Sequence, residues 1–174
     1  GKVVDDLYDA AHTMVRHLPG GLAIATVLAC AIFAAISGSS VATALTIGSI
    51  AIPQMLRYRY SRRTTFGVVA AGGTLGILIP PSLPMVLYAF VAATSIGALF
   101  MAGIMPGLML MSMFAAYAVV TEIRHERKLG PDFRRPPRAT LGEMATAIRK
   151  SFWALTLPPF VLGGMYMGIF TATE

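Results

Sequence analysis

The chain has 174 residues, of which 56% are hydrophobic and 13% charged, with a formal charge of +6 and a mean hydropathy of +0.69. A soluble domain of this length carries about 25% charged residues, so the composition excludes that class and points to lipid as the solvent. The charge does not point to nucleic acid: every Lys and Arg lies outside three charge-free stretches, 18–56, 64–121 and 151–173, and only Phe133 interleaves with the last basic run.

In chain order, Val3, Val4, Leu7, Ala11, Met14, Val15 and Leu18 recur at helical spacing, with Asp5, Asp6 and Asp9 early and Arg16 late. This predicts an amphipathic helix over 1–18 lying at the membrane surface. Pro19-Gly20-Gly21 then opens an apolar run that pauses at Ser37-Gly38-Ser39-Ser40 and resumes to residue 56. Basic residues stand on both sides of this stretch, so both its ends are expected on the cytoplasmic face. Two tight crossings would satisfy that parity. A re-entrant hairpin over 19–56, with its tip at 37–40, fits better, because arms of about 15 residues stop inside a bilayer. Residues 57–63, with Arg57, Arg59, Arg62 and Arg63, form a cytoplasmic loop.

The stretch 64–121 is long enough for a broken helix and a second transmembrane helix. Its first half is interrupted between Gly72 and Ser82, where Gly72, Gly73, Gly76, Pro80 and Pro81 would unwind a helix. Its second half is a Met-rich span in which Gly103 and Gly107 make a GxxxG contact for a neighbouring helix. Residues 122–150 read as a cytoplasmic loop followed by an amphipathic helix, for which Thr140-Leu141-Gly142-Glu143 supplies a capping box. The last span, 151–174, carries an interfacial Trp153 and bends at Pro158-Pro159. The fold class is therefore all-α, polytopic and membrane-embedded. Cys30 stands alone and reads as a small packing residue. No signal-peptide pattern opens the chain, and the start at Gly1-Lys2-Val3 leads us to expect a piece of a longer protein.

The two interruptions are the chemical signal. Backbone left unpaired in hydrocarbon costs several kcal/mol per group, so breaks persist only where protein or a water-filled cavity covers them. A broken helix presents carbonyls suited to a cation and amides suited to a carboxylate. The hydroxyls of Ser37, Ser39, Ser40 and Thr74 add neutral oxygens, and a dehydrated Na⁺ held this way needs no carboxylate. The bland alternative is an ordinary interhelical loop and a packing kink. An enzyme is not expected. His12, His17 and His125 all lie in flanking polar segments, so no base accompanies the buried serines, and Gly72-Gly73-Thr74-Leu75-Gly76 lacks the Lys of a phosphate loop.

These same residues carry a resemblance. The run from Leu18-Pro19-Gly20-Gly21 to Ile36-Ser37-Gly38-Ser39-Ser40-Val41, and Gly72-Gly73-Thr74-Leu75-Gly76-Ile77-Leu78-Ile79-Pro80-Pro81-Ser82, resemble the large membrane subunit of tripartite ATP-independent periplasmic (TRAP) transporters. So do Thr94-Ser95-Ile96-Gly97, Leu99 to Gly107, and Gly163-Gly164-Met165-Tyr166. Thr171-Ala172-Thr173-Glu174 departs from the family pattern, which usually has Pro at the second position.

The resemblance implies one of two inverted repeats, each with a re-entrant hairpin and a discontinuous helix, in a Na⁺-driven elevator of the bacterial inner membrane. It implies that Ser37, Gly38, Ser39, Ser40, Gly72, Gly73 and Thr74 bind Na⁺. It further implies that Ser39, Ser40, Pro80, Pro81 and Ser82 face a small carboxylate such as a C4-dicarboxylate. The implied partners are a small membrane subunit and a periplasmic substrate-binding protein. No cofactor beyond the coupling ion is expected, and no nucleic acid. Another broken-helix ion-coupled carrier without a binding protein, or a structural membrane subunit, are the alternatives.

Overall fold

A computed structural model describes residues 2–129 and 139–167. Among the described residues nine helical elements follow one another: α1 (Lys2–Val15), α2 (Gly21–Ser37), α3 (Ser40–Arg57), α4 (Arg62–Thr74), a 3₁₀ turn (Leu75–Ile77), α5 (Leu83–Val91), α6 (Ile96–Leu129), α7 (Leu141–Lys150) and α8 (Phe152–Tyr166). All the described elements are helical, in line with the predicted class.

α2 is the hub. It is apolar throughout and packs against α1, α3, α4, α6 and α8. Its small side chains explain how so many neighbours fit, since in lipid helix association rests on close backbone approach. Ala23, Ala29, Cys30 and Ala34 are all fully buried. Leu22, Val27 and Ala31 join Met55, Val68, Leu75 and Ala118 in one core cluster, while Cys30 meets Tyr8, Ile47, Ala51 and Val69 in a second. Cys30 is thus a packing residue, as expected. At about 1.5 Å per residue, the 17 residues of α2 span about 26 Å, short of a hydrocarbon core about 30 Å thick.

α6 alone among the described helices is long and apolar enough to cross a membrane, over Ile96–His125. It turns an unpartnered stripe outward: Met105 is 75% exposed, Met109 64% and Tyr117 62%. Its GxxxG glycines do receive neighbours, though one is the break itself. A Cβ on Gly103 would stand 2.8 Å from the Leu78 carbonyl and 2.6 Å from Met85 Cε, and one on Gly107 3.0 Å from Ile79 Cγ1.

One expectation about a boundary changes. α6 continues to Leu129, whereas its apolar run ends at Thr121. Hydropathy marks where charge begins, but Arg, Lys and Glu are good helix formers, so the backbone ladder runs on past the interface. Within that extension Glu122 is 2% exposed and packs beside Gly20, whose φ of 72° starts the turn into α2.

α1 is amphipathic as expected, but it is docked rather than free. Leu7, Tyr8, Ala10 and Ala11 are buried against the hairpin. The Tyr8 hydroxyl lies 3.1 Å from Thr26 Oγ1, which itself donates to the Leu22 carbonyl at 2.8 Å. A threonine hydroxyl has one proton, so Tyr8 is the donor. Burial pushes the Tyr8 phenol up to about 12. α7 lies alongside α1: Arg16 pairs with Glu143 at 2.7 Å, and the Ser151 hydroxyl donates to the Asp6 carbonyl at 2.6 Å. The capping box is present in full, with Thr140 Oγ1 accepting from the Glu143 N–H and Glu143 accepting from the Thr140 N–H. The Thr171 to Glu174 segment lies outside the described residues.

Candidate functional site

The tip is built by a two-residue reversal. Gly38 adopts φ 61°, a left-handed conformation that strains any residue with a Cβ, and its N–H caps α2 by bonding the Ala34 carbonyl at 2.8 Å. Ser39 is extended, and its hydroxyl caps α3 by accepting from the Ala42 N–H at 3.4 Å.

The hydroxyls then form a directed chain. Thr43 Oγ1 donates to the Ser39 carbonyl at 2.7 Å, so its single proton is spent. Ser37, 3.0 Å from Thr43 Oγ1, is therefore the donor of that pair, and its lone pairs accept from the Ser39 N–H at 3.4 Å. Ser37 is thus turned inward on the tip. The Ser40 hydroxyl is half-buried and bonds no described residue.

The second segment unwinds as the glycines and prolines predict. α4 ends at Thr74, passes into the 3₁₀ turn, and α5 begins only at Leu83. Between them the Pro80-Pro81 peptide is cis. The carbonyls here are not bare. Gly72 and Gly73 accept from the Leu75 N–H, and Ala71 accepts from Thr74 Oγ1 at 2.6 Å. Each carbonyl keeps a second lone pair, which is what a cation would use.

The amides of α5 are scarcer than a broken helix suggests. The Leu83 N–H donates to the Gly38 carbonyl at 3.2 Å, and Pro84 has none. Ser82 is fully buried, and its hydroxyl donates to the Ile77 carbonyl at 2.8 Å, closing the turn on itself.

Tip and break, some forty residues apart in sequence, meet face to face. A Cβ on Gly76 would stand 2.7 Å from the Ser39 carbonyl carbon, the Ser39 oxygen and the Ser40 nitrogen. One on Gly73 would meet Ala44 Cβ at 2.8 Å and the Ser40 oxygen at 3.3 Å, and one on Gly38 the Pro81 oxygen at 2.6 Å. Gly72 sits as closely on the Cys30 sulfur, at 2.7 Å. The tip thus meets the break at Gly73, Gly76, Pro81 and Leu83, while Gly72 packs on Cys30, Ser82 closes its own turn, and Thr74 is exposed with its hydroxyl turned back to Ala71. On its far side the break borders an apolar cleft of about 390 Å³ lined by residues such as Ala31, Ala35, Ile79, Pro80 and Pro158.

Three participants have roles that the sequence pattern does not mark. Thr43 fixes the Ser39 carbonyl and orients Ser37; its signal was the Ser39-to-Thr43 spacing of four, the distance at which a threonine hydroxyl reaches back along a helix. Gly76, a helix breaker by its residue type, is also a contact surface for the Ser39–Ser40 peptide. Leu83 contributes only its amide, which no side-chain pattern reports.

The family model described as "Tripartite ATP-independent periplasmic transporter, DctM component" matches residues 1–174. The chain is 46% identical to the C4-dicarboxylate TRAP transporter large permease protein DctM of Pseudomonas aeruginosa over 175 residues, covering 100% of this chain and 39% of that protein. It is 43% identical to the protein of the same name from Rhodobacter capsulatus, covering all of this chain and 41% of that one. It is 38% identical to the ectoine TRAP transporter large permease protein TeaC of Halomonas elongata, covering 39% of that protein. The chain thus spans about two fifths of the length of these relatives. A whole-length match to the family model, on top of a hairpin tip seated against a broken helix, makes the chain a member of the TRAP transporter large permease (DctM) family.

Proposed function

We propose that this chain forms one of two inverted repeats of a TRAP permease, a multi-pass transporter subunit of the bacterial inner membrane that imports a carboxylate with Na⁺ by an elevator movement. The observation that carries this reading is the seating of the tip on the break, where glycines at 38, 73 and 76 let backbone meet backbone. Neutral oxygens from Ser39, Ser40, Thr74 and the carbonyls of Gly72 and Gly73 would then serve as the ion's ligands, in charge-free surroundings that make a bare cation costly elsewhere. Ser37 and Gly38 act on the ion through the tip's shape.

The carboxylate would lie against Ser39, Ser40 and the Pro80-Pro81-Ser82 turn, with the Ser40 hydroxyl as its donor. Relatives named for C4-dicarboxylates and for ectoine support a small solute of that general kind. Arms as short as α2 support a re-entrant hairpin over a double crossing. A small membrane subunit and a periplasmic binding protein complete the machine, and the outward stripe of α6 offers apolar surface for such assembly.

The test is uptake of a labelled C4-dicarboxylate by the full-length permease reconstituted with its binding protein and small subunit. Uptake should collapse with the Na⁺ gradient and in Ser39→Ala/Gly73→Leu. Transport indifferent to Na⁺, or intact in that double variant, sinks the mechanism.

A further inference from the structure

Away from the tip and break, the loop between α3 and α4 and the last turns of the apolar α6 window enclose a cavity of about 510 Å³. Arg63 and Thr64 line it from the first turn of α4, and Tyr117, Val120, Arg124 and His125 from α6. The wall is built rather than incidental. Ser61 caps α4 by accepting from the Thr64 N–H at 3.0 Å. His125 Nε2 lies 3.2 Å from the Arg59 carbonyl; a carbonyl only accepts, so Nε2 carries the proton and ties the loop to α6.

The cavity is basic and stands where a spanning helix leaves hydrocarbon. Arg63 and Arg124 are both exposed, and the ion pair found among the described residues is Arg16–Glu143, on other helices. Below it the surface turns apolar on the same faces: Met113, Tyr117, Val120 and Arg124 follow at spacings of four, three and four on α6, and Phe66 lies three residues after Arg63 on α4. Met113 is 54% exposed, Phe66 52% and Val120 48%. A guanidinium pair above an apolar stripe matches a molecule with an anionic phosphate head and hydrocarbon tails.

We propose that this cavity binds an anionic glycerophospholipid, its phosphate between Arg63 and Arg124 and its acyl chains along Phe66, Met113 and Val120. The site lies on a different face from the tip and break, and it rests on the membrane reading alone, whichever solute is carried.

The experiment is native mass spectrometry of the full-length permease with its partner subunit, titrated with phosphatidylglycerol and with phosphatidylcholine. One phosphatidylglycerol should be retained in preference to phosphatidylcholine. Arg63→Gln/Arg124→Gln should weaken that retention roughly thirtyfold, as expected from about one unit of basic-residue attraction at each position. Arg57→Gln/Arg62→Gln, an equal charge loss on exposed neighbours outside the cavity, should leave it unchanged, and Arg63→Lys/Arg124→Lys should restore most of it. Equal weakening by the Arg57/Arg62 pair would reduce the effect to diffuse charge and overturn the site. Displacement by millimolar inorganic phosphate would make it a free-anion site and also overturn the proposal, as would equal retention of the two lipids by the unaltered protein.

Discussion

Replacing Gly76 by Ala adds one carbon where three backbone atoms of Ser39 and Ser40 stand 2.7 Å away, against an ordinary contact of at least 3.4 Å. The obstruction is backbone on both sides, so no side chain can rotate aside. Tip and break must separate by about 0.7 Å to relieve it, beyond the tolerance of about 0.5 Å within which a binding constellation holds its geometry. Overpacking of this kind costs about 1–3 kcal/mol. The expected outcome is a lower melting temperature of the full-length permease in detergent together with at least tenfold weaker Na⁺ activation of uptake. Gly67→Ala is the control: it lies on α4, the helix that leads into the turn carrying Gly76, with nothing within 4 Å of the new carbon, and it should stabilise by up to about 1 kcal/mol through helix propensity. If Gly76→Ala melts lower yet keeps the Na⁺ dependence of the parent, the tip–break contact is structural only and the site assignment fails.

Two further outcomes follow from the same geometry. Thr43→Val removes the hydroxyl that holds the Ser39 carbonyl and orients Ser37, and should destabilise by about 1–3 kcal/mol with a right-shifted Na⁺ activation curve, while Thr43→Ser keeps both; identical curves for the Val and Ser variants would refute the role. At the α1–α7 contact, the Thr140 N–H and, after it, Arg16 hold the Glu143 carboxyl below its ordinary 4.5. A depressed folded-state value gives stability that is present above the unfolded value and lost as pH falls through the folded one. The protection of α7 amides against hydrogen exchange, taken relative to their intrinsic rates at each pH, should therefore fall below about pH 4.5, and Glu143→Gln should flatten that dependence.

Much of the site was legible because its residues announce themselves one at a time. Gly38 at a left-handed turn, the unwinding around Pro80 and Pro81, and the Thr140–Glu143 box are local facts about backbone preference, and each falls where the residues put it. What escaped notice is relational. Tyr8 has the same periodic position as any apolar residue of a surface helix, and only Thr26, eighteen residues on, turns α1 into a docked element. Glu122 looked like the first residue of a polar loop, yet a continuing helix carries it into the shelter of Gly20. Gly76 shows the limit best. Composition says that a helix weakens there, while the reason no larger residue fits lies on a different strand of the chain altogether.

The glycine contacts also divide the molecule mechanically. The stretch from Gly76 to Ser82 is clasped on one side by the tip, through Gly38 and the Leu83 amide, and on the other by Gly103 and Gly107 of α6. Such a sandwich leaves its layers little room to slide, since backbone meets backbone at Gly38 and Gly76, and backbone or side chain meets α6 at Gly103 and Gly107. The left-handed turns at Arg59 and Ala93, φ 63° and 49°, lie outside that clasp, in the connections on either side of it.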